Sequence, residues 1–132
     1  TKTECGIHVD GAERTWDRDL WEEGSSAVKK INTEDEALEV KGSGKASIVT
    51  VYAPWCQFSQ AMEDALEDYA KDADVDVYSF RGDDKREFVT ENLNTSSFPT
   101  VNVIKPDGTA VKYESEERTP EAFAKFLEET LA

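Results

Sequence analysis

The sequence predicts an α/β fold: a mixed four-stranded sheet flanked by helices. Three observations carry this. Residues 46–53 (ASIVTVYA) are dense in β-branched side chains, the composition of a strand buried on both faces and therefore central. A helical pattern then leads to an alternating run, residues 75–80 (VDVYSF), which makes a parallel βαβ unit. Two further runs, 101–104 and 109–113, are joined by Lys105-Pro106-Asp107-Gly108, a turn that makes them an antiparallel hairpin.

In chain order, residues 1–32 show neither a 3.6 nor a 2.0 period and read as a tail or linker, with residues 33–132 as the domain. Trp16 and Trp21 suit free solvent poorly, so part of this tail is expected to pack on the domain or on something beyond it. Thr33 opens a short helix as a capping box, with Glu36 reaching back to the Thr33 N–H and Ala37, Leu38 and Val40 as its apolar side. Gly42-Ser43-Gly44 ends it. From Gln57 to about Lys71, Phe58, Ala61, Met62, Ala65, Leu66 and Tyr69 recur at helical spacing, opposite Glu63, Asp64, Glu67 and Asp68. Asp83 or Asp84 is expected to cap a third helix running to about Asn92, with Phe88, Val89 and Leu93 inward. Thr119-Pro120 opens the last helix as a cap with proline at its first position, and Phe123, Phe126, Leu127 and Leu131 form one face.

Composition narrows the function classes. With 15 basic and 29 acidic residues the net charge is -14, and the basic residues are scattered, so nucleic acid and anionic membrane are poor partners. No apolar run approaches the roughly 20 residues of a membrane span. Two cysteines, Cys5 and Cys56, and one histidine, His8, are too few for a disulfide scaffold or a metal site. Redox chemistry in a reducing compartment is the better expectation. The chain begins at Thr1 without Met or a signal-like segment, which predicts a piece of a longer protein or a processed one.

The chemistry centres on residues 52–62 (YAPWCQFSQAM), where the central strand stops at Ala53-Pro54 and a helix begins. Cys56 falls in the first helical turn. Unpaired N–H groups and the helix dipole stabilise a thiolate there, so its pKa is expected well below the free value of about 8.5. Pro54-Trp55 and the helix start should expose the thiol, with Trp55 shielding it and packing beneath a substrate. Three residues on, where a dithiol site would carry a second cysteine, stands Ser59.

The element order, with W-C-x-x-(C or S) after the first strand and Pro-Thr before the third, resembles the thioredoxin fold over about residues 33–132. The resemblance implies that the Phe98-Pro99 bond is cis and that Phe98, Pro99 and Thr100 form a docking edge for an extended peptide thiol beside Cys56. A narrower likeness lies in WCQFSQAME, SFPT and KYESEER, which are similar to the glutaredoxin-like C-terminal domain of plant-type adenylyl-sulfate reductases, whose site usually reads W-C-P-F-C-Q-A-M-E. The tail agrees, because Glu4-Cys5-Gly6-Ile7-His8 resembles the E-C-G-[LI]-H motif that ends the reductase domain of adenylyl-sulfate and phosphoadenylyl-sulfate reductases. His8 belongs to that reductase site by motif alone.

That resemblance implies a role in sulfate assimilation and cysteine biosynthesis, a plastid location, the reductase domain of the same protein as partner, glutathione as electron donor and no bound cofactor. Cys5 would take the sulfonate from adenylyl sulfate with release of AMP, and Cys56 would attack the S-sulfo Cys5 and release sulfite. Three departures bear on this. The nucleotide-binding body is absent, so the chain alone is not expected to turn over adenylyl sulfate. Thr50 stands six residues before Cys56, where thioredoxins bury an aspartate, which favours a glutathione-linked route. Ser59 cannot resolve a disulfide; it is either a replacement made to trap one or a natural one-thiol site with glutathione resolving from outside. Asp83 and Asp84 are candidates to bond the glutathione amine. Reach does not limit a Cys5 to Cys56 bond, since a flexible chain of about 40 residues spans about 35 Å. Alternatives are a one-thiol glutaredoxin-like protein or a non-catalytic thioredoxin-like module that holds a peptide.

Overall fold

The computed structural model describes residues 5–6, 21, 27–54, 56–82, 84–113 and 117–131, the first pair by backbone alone. Trp16, His8, Trp55, Asp83 and residues 114–116 lie outside the described residues. The elements run β1 (Cys5–Gly6), β2 (Lys29–Ile31), α1 (Glu34–Lys41), β3 (Ser47–Tyr52), α2 (Gln57–Asp72), β4 (Asp76–Arg81), α3 (Arg86–Asn92), β5 (Ser97–Phe98), β6 (Thr100–Ile104), β7 (Ala110–Lys112) and α4 (Pro120–Leu131).

The four expected strands form the sheet, and a fifth, β2, extends it in the order β2-β4-β3-β6-β7. The first three run parallel, while β6 is antiparallel to β3 and paired with β7 as the hairpin. Every residue of β3 is buried, as a central strand demands. Alternation along it splits the core in two. Val49, Val51 and Ala53 face a layer with Ile31, Ala37, Phe80, Val89, Leu93 and Phe98, while Ile48 and Tyr52 face Met62, Leu66, Tyr69, Val77, Val103 and Phe123 on the side of α2 and α4.

The tail reading needs correction at its end, because Lys29, Lys30 and Ile31 pair in parallel with Tyr78, Ser79 and Phe80. Three residues are too short for a sequence period to register. Ile31 supplies the burial, and Lys29 reaches Asp76 at 3.0 Å. At α1 the Thr33 hydroxyl caps the Glu36 N–H at 3.1 Å, but the Glu36 carboxylate takes the Thr33 hydroxyl rather than its N–H. Leu38 and Leu131 are exposed, on helices that are short or terminal and cover only a narrow stripe of core, and Ala61 is exposed at the margin of the apolar stripe of α2. Helix α3 begins at Arg86 with Lys85 as its N-cap, and Asp84 pairs with Lys85 instead of capping. At α4 the Thr119 hydroxyl accepts from the Ala122 N–H at 3.1 Å ahead of Pro120, the expected start.

Tyr69 stacks edge-on against Phe123 at 5.9 Å, and burial, with a smaller push from the Asp74 carboxylate, raises its hydroxyl above the ordinary 10.0. The unfolded phenol ionises first as pH climbs, so folding stability should hold below about pH 10 and fall above it. Tyr78 is raised in the same sense by burial, and Lys29 by its bond to Asp76. A Tyr69→Phe variant therefore loses less stability than the parent between about pH 9 and 11.5 in urea titrations; parallel losses would refute the assignment.

Candidate active site

Strand β3 ends at Tyr52, and the chain turns over Ala53 and Pro54 into α2. The Cys56 N–H donates to the Ala53 carbonyl at 3.1 Å, closing a four-residue turn with proline in its favoured second position. The Gln60 side-chain amide donates to the Pro54 carbonyl at 2.8 Å and fixes the turn to the helix. Cys56 is the N-cap of the 16-residue α2, with its carbonyl accepting from the Gln60 N–H at 3.0 Å. The sulfur thus sits at the positive end of a long helix, where a thiolate is favoured.

Cys56 is disulfide-bonded, and no free cysteine occurs among the described residues. It is also fully buried, against the expectation of an exposed thiol. The neighbouring loop explains this. Phe98-Pro99 is cis, and the Phe98 carbonyl oxygen lies 3.5 Å from Cys56 Sγ. A disulfide sulfur has no hydrogen to donate, so this is a contact; reduction makes it a hydrogen bond from the thiol. The backbone edge at Phe98 is already taken, because β1 pairs antiparallel with β5, Cys5 opposite Phe98 and Gly6 opposite Ser97.

The cis-proline loop is rigidly held. Thr100 is buried, and its hydroxyl donates to the Ser97 carbonyl at 2.7 Å, bridging the cis bond. The Phe98 side chain is wholly buried. Ahead of the loop, Asn102 Nδ2 donates to the Leu93 carbonyl at 2.7 Å and the Thr90 hydroxyl to the Thr95 carbonyl at 3.0 Å, so the turn feeding β5 is pinned to α3 and β6. Of the predicted site residues, Cys56, Phe98 and the Cys5 backbone come together; Trp55 lies outside the described residues.

Ser59 is fully buried on α2, and its oxygen accepts from the Ala53 N–H at 3.5 Å, the long end of hydrogen bonding. It falls three residues after Cys56, one turn along the same face. Thr50 is fully buried on β3 beside Ser79 of β4, and neither hydroxyl has a hydrogen-bond partner among the described residues. No carboxylate occupies this position to accept a proton. Three contributors escaped the sequence reading: Gln60, Glu63, which reads only as part of the polar side of α2, and Gly82, whose N–H donates to the Tyr52 carbonyl at 2.9 Å. Nothing in their local pattern marks them.

A groove of about 570 Å³ flanks α3, lined by Glu34, Asp84, Lys85, Arg86, Glu87, Phe88 and Glu91. Among the described residues no cluster of three metal-ligating side chains occurs, and no helix is long and apolar enough to cross a membrane.

The sequence model of the Thioredoxin-like domain family matches residues 33–131. The chain is 35% identical over 141 residues to 5'-adenylylsulfate reductase 1, chloroplastic, of Arabidopsis thaliana, covering 94% of this chain and 30% of that protein. The chain thus spans under a third of that relative's length. Among solved structures, the J-Trx1 fragment of ERdj5 superposes with a TM-score of 0.70 at 20% identity, over 79% of this chain and 51% of that one. The oxidised thioredoxin of Plasmodium falciparum gives 0.64 at 21% identity, over 80% of this chain and 99% of that one. At these identities the likeness speaks for the fold.

Proposed function

The chain belongs to the thioredoxin-like domain family, and from that premise we propose that it is the thiol-disulfide relay module of a plant-type adenylyl-sulfate reductase, acting with a reductase domain of the same protein in a plastid. One observation carries the reading: the segment bearing the only other cysteine of the chain is strand-paired to Phe98, the residue whose carbonyl touches the disulfide-bonded Cys56 sulfur. We assign the Cys56 disulfide to Cys5. The likeness to the Arabidopsis reductase runs over 94% of the chain, well beyond the thioredoxin-like portion.

The proposed chemistry runs in three steps. On the reductase domain the Cys5 thiolate attacks the sulfur of adenylyl sulfate, the bond from sulfur to the phosphate oxygen breaks, AMP leaves, and an S-sulfo cysteine remains. The Cys56 thiolate attacks the Cys5 sulfur; the bond to the sulfonate breaks, sulfite departs with its electron pair, and a Cys5–Cys56 disulfide forms. Two glutathione thiols then reduce that disulfide to two protein thiols, leaving one glutathione disulfide. The helix start favours the Cys56 thiolate, and the paired β1 presents Cys5 as the extended peptide. The groove beside α3 is the candidate seat for glutathione, Lys85 and Arg86 meeting its carboxylates and Asp84 its amine. An occupied disulfide favours this relay over a module that only holds a peptide.

Non-reducing peptide mapping of the oxidised chain should return one intramolecular Cys5–Cys56 pair. Finding both thiols free, or only disulfides between chains, would sink the assignment. Joined to a reductase domain, Cys5→Ser and Cys56→Ser variants should each lose glutathione-dependent sulfite release.

A further inference from the structure

Ahead of the sheet, Trp21 is clamped to the two elements that flank Cys56 along the chain. Trp21 is 2% exposed. Its indole Nε1 donates to the Glu63 carbonyl at 3.0 Å, its backbone N–H to the Glu63 carboxylate at 3.1 Å, and its ring meets Tyr52 edge-on at 5.2 Å. Both anchors flank the reactive cysteine: Tyr52 ends β3 four residues before Cys56, and Glu63 lies two turns after it on α2. Trp21 adopts a positive φ of 49°, an uncommon state for a bulky residue that persists only where surrounding contacts enforce it. The clamp continues downstream. The Ala27 N–H donates to the Glu67 carboxylate at 2.6 Å, and the Lys30 ammonium bonds the Tyr52 hydroxyl while lying 5.1 Å from its ring centre.

We propose that Trp21 is a positioning residue of the relay: by fixing the chain to the end of β3 and to α2, the elements on either side of Cys56, it shortens the tether to Cys5 and raises the effective concentration at which the Cys5–Cys56 disulfide forms. This rests on the reading of Cys5 as the partner. With Trp21 clamped, the stretch between paired β1 and the domain is residues 7–20; with the clamp released as far as β2 it grows to residues 7–28. Loop closure scales as the three-halves power of length, so release should lower the effective concentration roughly twofold, more if the new anchor lies farther from Cys56.

The equilibrium to measure is protein disulfide plus two glutathione thiols giving two protein thiols plus glutathione disulfide. Its constant in a glutathione redox titration reports the effective concentration directly. Trp21→Ala should shift it toward the thiols by about twofold, and Glu63→Ala, which keeps the carbonyl acceptor but loses the carboxylate, by a smaller factor in the same direction. In a Cys5→Ser background, Trp21→Ala should leave the alkylation rate of Cys56 unchanged across pH. Trp21→Phe retains the stack on Tyr52 and keeps the test available if the alanine variant does not fold. An unchanged constant in all three variants overturns the proposal, as does an equal loss of Cys56 reactivity in the Cys5→Ser background, which would make Trp21 a support of the site's fold. If the parent chain never forms the Cys5–Cys56 bond, the partner reading fails first and this proposal falls with it.

Discussion

A Ser59→Cys variant is expected to move the Cys56 disulfide from its distant partner to its own helix. Residue 59 lies one turn after Cys56 on the same face, fully buried, and its hydroxyl makes only a 3.5 Å contact with the Ala53 N–H, so a sulfur of nearly the same shape fits. A thiolate there attacks Cys56 Sγ and releases the Cys5 thiolate, an exchange that consumes no oxidant. The competition is between a partner three residues away and one some fifty residues away in sequence. On effective-concentration grounds, resolution by the near thiol should be on the order of a hundredfold faster than reduction from solution by a glutathione at similar levels. Timed alkylation under non-reducing conditions should find Cys5 released in the variant and protected in the parent. Protection of Cys5 in both at equilibrium would show that residue 59 cannot act as a resolving position in this site.

Gly82→Ala is expected to damage core and site together. A Cβ at Gly82 would stand 2.5 Å from Val51 Cγ1 and 3.0 Å from Phe98 Cε1. Neither neighbour can withdraw freely, since Val51 is β-branched on the central strand and Phe98 is fully buried in the cis-proline loop. Overpacking of this kind costs roughly 1–3 kcal/mol, visible as a lower denaturation midpoint. Because the Phe98 backbone both pairs with β1 and touches Cys56 Sγ, the same variant should also weaken the Cys56 disulfide against glutathione. A midpoint equal to the parent's would mean that the packing about Gly82 yields without cost.

Much of the framework is legible in the chain because local chemistry and tertiary demand agree there. The β-branched run of β3, the apolar stripe of α2, the Lys105-Pro106-Asp107-Gly108 turn and the Thr119-Pro120 start each state their element within a few residues. Where the two disagree the sequence misleads. Lys29–Ile31 is a strand because β4 offers an unpaired parallel edge, and three residues carry no period of their own. Asp84 is a good cap by type, yet the chain enters α3 one residue later. Glu63 and Glu67 look like solvent-facing charge until Trp21 and Ala27 are seen to need acceptors.

By itself the sequence determined that a thiol sits where the central strand gives way to a long helix, that no second cysteine follows at Ser59, and that a proline loop precedes the third strand. These follow from short-range spacing, which fixes helix phase and turn chemistry whatever surrounds them. Only the tertiary structure decided that this sulfur is buried and that β1 occupies the Phe98 edge beside it. The approach of Phe98 to Cys56 spans 42 positions of sequence, and the pairing of Cys5 with Phe98 spans still more. Such contacts arise from sheet order and loop closure, which no local pattern encodes.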